Sequence, residues 1–174
     1  MILIISSSLN KDSNSRVLAQ ATLQVLEKEG HAASILDLRD YPLPLCDGGP
    51  SYNDPNVTRV LEFLSKADAV VIATPIYNYD ATAAVKNLIE LTGDVWQDKV
   101  VGFLCAAGGM SSFMSIMSLA NSLMLDFRSV IVPRFVYATG AAISNGTIID
   151  LKVQERVVEL ARFTAKLGNA LKAA

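Results

Sequence analysis

Only two cysteines and one histidine occur among the 174 residues. Cys46 and Cys105 are distant from each other and form no C-x-x-C pair. That pattern argues against a disulfide framework or zinc site and suits a reducing compartment, so a cytoplasmic protein is expected. The single histidine, His31, follows Gly30 at the start of the second apolar run and reads as structural or solvated. Neither G-x-x-x-x-G-K-[ST] nor G-x-G-x-x-G is present, which removes support for a P-loop nucleotidase or a dinucleotide-binding fingerprint. A basic tract is also missing: 15 Lys and Arg stand against 17 Asp and Glu, a net charge of −2. With both signs spread along the chain, nucleic acid and anionic membranes are not expected partners. No run approaches the ~18 apolar residues of a membrane span. The opening Met1–Ile5, followed by polar residues, lacks the basic flank of a signal peptide and reads as a first strand.

What remains is apolar: 51% of the residues are hydrophobic. The length fits one domain over 1–174, enough to bury roughly 70% of the unfolded surface. Short runs rich in β-branched residues lie at Ile2–Ser6, Ala33–Leu38, Ala69–Thr74, Val100–Ala106 and Ser129–Val132. Each is nearly continuous in apolar character, as strands buried on both faces should be. Helical spacing covers Ser15–Gly30, Pro55–Lys66, Ala81–Thr92, Ser112–Phe127 and Leu151–Leu171. The β-α alternation predicts an α/β fold with a parallel sheet and right-handed crossovers. Gly30 and Gly93 stand at expected C-terminal caps, and Asn53 or Asp54 precedes Pro55 as an N-cap before a first-turn proline. Two stretches break the pattern: Asp40–Asn53, with three prolines and two glycines, and Val136–Asp150, with an Asn145-Gly146 turn signal. The first is too apolar for a free linker and is expected to pack over something. The tail at Lys172–Ala174 is expected to fray.

In an open parallel sheet, ligands bind outside the carboxyl ends of the strands. After strand one, Ser6–Arg16 is dense in hydroxyls and amides and leads into a helix. Helix-start amides, the hydroxyls of Ser8, Ser13 and Ser15 and the amides of Asn10 and Asn14 suit a monophosphate. Lys11 and Arg16 are candidate electrostatic additions, and ordinary helix capping is the alternative reading. After strand three, Pro75 ends the strand, Ile76 follows it, and Tyr77 and Asn78 offer an aromatic surface and amide hydrogen bonds to a flat heteroaromatic ring. After strand four, Ala107-Gly108-Gly109 lets backbone approach a ligand closely, with a plain strand-to-helix turn as the alternative.

Taken together these loops resemble the NADPH-dependent FMN reductase family. Ser7-Ser8-Leu9-Asn10-Lys11-Asp12-Ser13-Asn14-Ser15-Arg16 falls into register with that family's G-S-L-R-x-x-S-x-N-R, matching at Ser8, Leu9, Ser13 and Arg16. Pro75-Ile-Tyr-Asn-Tyr-Asp80 and Val85-Lys-Asn-Leu-Ile-Glu90 are similar to its P-E-Y-N stretch and the following L-K-N-x-I-D helix. Leu36–Leu45 is similar to its D-L-x-D-x-P-L-P segment. Asn10 stands in place of an arginine, and Ile76 in place of an acidic residue.

The resemblance implies a flavodoxin-like three-layer sandwich with a five-stranded parallel sheet in the order 2-1-3-4-5. It also implies an FMN cofactor, NADPH or NADH as co-substrate and a small-molecule electron acceptor: flavin, quinone, azo compound or metal oxyanion. Cofactor contacts then fall to Ser8, Asn10, Ser13, Asn14, Ser15, Pro75, Ile76, Tyr77, Asn78, Ala107, Gly108 and Gly109. The loop after Leu36 is expected to cover the flavin from the neighbouring side. The cofactor carries the redox chemistry, so no general acid or base and no metal is assigned. A homodimer or homotetramer is implied, in keeping with the nearly all-apolar Ser112–Phe127 segment. An electron carrier like flavodoxin and a flavin-binding sensor without turnover are the competing readings.

Overall fold

In the computed structural model, which describes residues 1–172, β1 (Ile2–Ser6) is buried throughout. It leads into α1 (Asn14–Lys28), β2 (Ala33–Asp37), α2 (Pro55–Ser65) and β3 (Ala69–Tyr77). A two-residue β4 (Asp80–Ala81) and α3 (Ala83–Thr92) precede β5 (Val100–Ala107). Then come α4 (Met117–Phe127), β6 (Val130–Ile131), β7 (Val136–Thr139), the hairpin β8 (Ile143–Ser144) and β9 (Thr147–Ile148), and α5 (Leu151–Lys172). The parallel body runs β2-β1-β3-β5, and both β6 and β7 pair with the outer edge of β5.

Strand alternation divides the core between the two faces. Leu3, Ile5, Val70, Ile72, Val101 and Phe103 face α2, α3 and α4 through Leu64, Leu88 and Leu123. Ile2, Ile4, Val71 and Leu104 face α1 and α5 through Leu18, Leu26 and Leu160. α5 lies close on β5 because Gly102 has no side chain: a Cβ there would stand 3.1 Å from Thr164 Oγ1. No helix among the described residues is long and apolar enough to cross a membrane.

The predicted order is kept, but the sheet has seven strands in place of five. The fifth strand, expected over Ser129–Val132, is two pieces. Pro133 offers no N–H to the ladder, and Arg134 at φ +62° turns the chain out before β7 resumes pairing at Leu104–Ala107. The added β4 folds back on β3 through Asn78 and Tyr79, at φ +51° and +65°. Two consecutive left-handed residues make the tight turn that suits the twist of a hairpin. Because Ala81 pairs with Ile76 in this hairpin, α3 starts at Ala83, two residues after the expected position. The fourth helix was expected from Ser112, yet α4 starts at Met117 after a 3-10 turn at Met110–Ser112. Phe113 is anchored on Phe135 and Tyr137, with ring centroids 5.1 and 5.4 Å apart, which draws the intervening segment off the helix axis.

Asp54 caps α2 by accepting from Asn56 N at 2.8 Å, the alternative to Asn53 that the sequence left open. The loop Asp40–Asn53 packs by Tyr41 and Leu43 on the core beneath α2 and α3. Asn87 clamps it, donating to Pro44 O (2.9 Å) and accepting from Cys46 N (2.8 Å). Of the tail Lys172–Ala174 expected to fray, Lys172 ends α5 and pairs with Asp68 at 3.1 Å, while Ala173 and Ala174 lie outside the described residues.

Candidate functional site

A cleft of about 690 Å³ opens at the carboxyl ends of β1, β3 and β5, within the ~300–1,000 Å³ of ordinary ligand sites. Its first wall is the turn between β1 and α1. Ser7 fixes the start of that turn, its N–H and hydroxyl both donating to Ala73 O (3.0 and 3.1 Å). Asn10 Oδ1 accepts from Asp12 N (3.0 Å), and Asn10 N donates to Ser8 Oγ (3.3 Å). Ser13 occupies the N-cap position of α1, but its hydroxyl pairs with Ser15 Oγ at 2.8 Å and makes no bond to the helix amides. The first-turn N–H groups, at the positive end of the helix dipole, are thus left uncapped by any side chain. Ser8, Asn10, Ser13, Asn14 and Ser15 all line this part of the cleft.

Neither nearby cation does. Arg16 lies under the turn, donating to Ser8 O (3.0 Å), Asn10 O (3.0 Å), Lys11 O (3.1 Å) and the Asp37 carboxylate (2.8 Å). Its role is to hold the loop, not to add charge inside the cleft, and Lys11 is also outside the lining. Burial alone would raise the Asp37 carboxyl, but hydrogen bonds from Arg39 and Arg16 outweigh it and hold that group at about 2.

The other walls are flat and apolar. Pro75, Ile76, Tyr77 and Asn78 form one, with Tyr77 at its exposed rim. Beneath it, Thr74 and Thr82 join hydroxyls at 3.4 Å, and Thr82 N donates to Thr74 Oγ1 at 3.3 Å. Ala106, Ala107 and Gly108 form the opposite wall. A Cβ at Gly108 would meet nothing within 4 Å, so the space over this backbone is open to a planar group. Gly109 falls just outside the lining; its carbonyl accepts from the Tyr137 hydroxyl at 2.6 Å. The loop Asp40–Asn53, expected to cover the site, contributes no lining residue, because Asn87 holds it against α3.

Sequence reasoning missed four contributors, one of them Ala106, which stands just before the predicted Ala107 in the third loop. Asp12 lies inside the quoted loop but carries no phosphate-binding logic. Gly140 arrives from the end of β7, hidden by the misplaced fifth strand, and Pro133 within an apolar run was the signal for it. Tyr137 braces the third loop by a bond that no sequence pattern announces. Cys105, buried in β5, has its thiol pushed up to about 12 by burial and stays protonated at neutral pH.

The donor set fits FMN in chemical kind: hydroxyls and helix amides for a monophosphate at one end, flat apolar backbone for a ring system at the other. A family model described as NADPH-dependent FMN reductase matches residues 1–143. The chain belongs to that family. It is 36% identical over 131 residues, 73% of this chain and 70% of the other, to an NAD(P)H-dependent FAD/FMN reductase of Geobacillus thermodenitrificans. An NADPH:quinone oxidoreductase of Arabidopsis thaliana is 25% identical over 178 residues, covering 94% and 91% of the two chains. Among solved structures, FerB, an NAD(P)H:(acceptor) oxidoreductase of Paracoccus denitrificans, superposes with a TM-score of 0.75 at 21% identity, covering 95% and 97%. This last likeness shows the shared fold. Family membership makes the chain an oxidoreductase that works with FMN and NAD(P)H.

Proposed function

We propose that residues 1–174 act as a single domain whose cleft holds FMN and passes electrons from NAD(P)H to a small diffusible acceptor. That acceptor is a quinone, an azo compound, a free flavin or a metal oxyanion. The observation that carries the reading is the uncapped start of α1 opening into the same cleft as the flat walls Pro75–Asn78 and Ala106–Gly108. Ser8, Asn10, Ser13, Asn14 and Ser15 hold the phosphate through neutral donors, with the helix dipole in place of a cation. Pro75, Ile76, Tyr77, Asn78, Ala107 and Gly108 position the ring system, with Gly109 behind them held by Tyr137.

Bound there, the flavin supplies the redox chemistry: acceptance of a hydride from reduced nicotinamide and delivery of electrons onward. The chain's own residues bind and orient. The buried Ser7, Thr74 and Thr82 hydroxyls fix the floor, and Ile76 and Tyr77 keep water from one side of the ring site. No side chain in the cleft is assigned as acid or base.

A second copy of this chain, in a homodimer or homotetramer, is part of the reading. Leu9, Tyr77, Tyr79 and Met114 are exposed at the end of β3 and on the loops that follow β1, β3 and β5, the sheet edge at which the cleft opens, and exposed apolar residues gathered at one edge suit an interface. Cys46 and Cys105 are both free thiols, which supports a cytoplasmic setting.

The test is direct. Purified protein is titrated with FMN by fluorescence quenching, and NADPH oxidation is then followed with a quinone present. Binding with catalysed NADPH loss is expected. Bound FMN without turnover would favour a one-electron carrier or sensor, and failure to bind FMN would remove the reading altogether.

A further inference from the structure

A second cavity, of about 390 Å³, adjoins the cleft on its β7 side. The two share walls. Gly108 lines the cleft and Met110 the cavity, while Thr139 lines the cavity and Gly140 the cleft. Three cations line the cavity, Arg134, Lys152 and Arg156, beside the aromatic group Phe113, Phe135 and Tyr137. Of these six only Phe113 lies in a segment that the sequence marks for a role, the apolar Ser112–Phe127 run.

The charges are available to a ligand. Arg134 and Arg156 both pair with Glu159, at 3.3 and 2.9 Å, but these ion pairs are exposed to solvent and are held weakly for that reason. Lys152 makes no ion pair among the described residues. Asp150, the acid within the lining, is engaged at the start of α5, where its Oδ1 accepts from Lys152 N (2.8 Å) and Val153 N (3.1 Å). Arg134 is held at φ +62°, a conformation that disfavours residues with a side chain and that persists where function or packing demands it. Arginine guanidinium forks match phosphate oxygens, and aromatic faces take a purine ring by stacking.

We propose that this cavity receives the adenosine end of NADPH, with Arg134, Lys152 and Arg156 reading its 2′-phosphate. The proposal rests on the reductase reading above and deepens it: the nicotinamide end of the same molecule reaches the cleft across the Gly108–Met110 wall. Glu159 gives up its two arginines to the phosphate, and discrimination between NADPH and NADH resides here rather than in the flavin cleft.

Calorimetric titration of the FMN-loaded protein with adenosine 2′,5′-bisphosphate and with adenosine 5′-monophosphate tests it without turnover. The bisphosphate is expected to bind about tenfold or more tightly than the monophosphate, from charge-assisted bonds to the added group. In Lys152→Ala and Arg134→Gln that ratio should fall towards one, and the NADPH-to-NADH ratio of kcat/KM should fall with it. Lys152→Ala alters no turn, so it stands alone if the Arg134 variant does not fold. Equal binding of the two nucleotides by the native protein, or an unchanged ratio in Lys152→Ala, overturns the proposal. Turnover of NADPH without discrimination sinks the cavity assignment alone. Discrimination without turnover leaves the cavity in place and sinks the reductase reading.

Discussion

The turn after β1 and the loop after β5 line the same cleft but are held in different ways. Arg16 ties the first to the carbonyls of Ser8, Asn10 and Lys11 and, through Asp37, to the end of β2. Ser8, Ser13 and Ser15 are buried there. The second begins with two glycines and exposes Met110, Phe113 and Met114, and it is braced to β7 by the Tyr137 hydroxyl on Gly109 O. Preorganised donors bind without an ordering cost. The phosphate end is therefore built for affinity, and the ring end is left to be completed by ligand and partner, where acceptor choice can differ among relatives.

The largest expected effect is that of Arg16→Ala. Hydrogen bonds from a charged donor contribute about 1.5–3 kcal/mol, so the loss should lower stability by about 2–3 kcal/mol and FMN affinity by about thirtyfold or more. Asp37 keeps its pair with Arg39 at 2.8 Å, so the loss is local to the turn. Thermal melts and FMN titration read both numbers, and an unmoved melting temperature would mean that the turn organises itself without Arg16. Gly108→Val probes the opposite wall. Since a Cβ there meets no protein atom within 4 Å, melting should shift by no more than a degree or two, while FMN affinity drops about tenfold as the side chain takes ring space. Parallel losses of stability and binding in this variant would erase the contrast between the walls.

Acid should loosen the first wall selectively. The Asp37 carboxyl is lowered from 3.8 to about 2, so the folded state binds its proton more weakly than the unfolded chain does. The stabilisation it brings is complete above pH ~4 and is lost as pH falls through about 2. Screening by solvent at the exposed Arg39 reduces the effect to about 1 kcal/mol. Melting temperature followed between pH 5 and 2 should decline more steeply in the native protein than in Asp37→Asn. Identical slopes would detach Asp37 from the stability of the turn.

The same contrast sets how much could be read from the sequence. The turn after β1 was legible because its chemistry is local: consecutive Ser and Asn residues ahead of a helix supply the donors and the helix start together. The parallel body was legible because strands buried on both faces are continuous apolar runs. The β7 side was not. Val130, Ile131 and Val132 look like one strand with Ser129, and only Pro133 with its neighbour Arg134 in a left-handed conformation shows that the edge breaks and restarts. Gly140 and the cavity cations all lie at or beyond that break. Arg16 reads from the sequence only as a candidate electrostatic addition, because its spacing puts it near the phosphate loop without saying on which side. Its partner Asp37 lies on another strand, and a pairing between strands is invisible to a local reading.

Tyr137→Phe is the gentlest way to test the open wall. It removes the 2.6 Å bond to Gly109 O and keeps the ring that packs on Phe113 at 5.4 Å, so stability should fall by only about 1 kcal/mol. The phosphate turn has no contact with this bond, so FMN affinity should change less than twofold. The loop that carries Gly108 to Met110 gains freedom, and KM for the electron acceptor should rise about two- to fivefold, as ordering the loop then opposes binding. A rise in FMN dissociation larger than the rise in acceptor KM would place Tyr137 in cofactor retention and make the two walls parts of one preorganised unit.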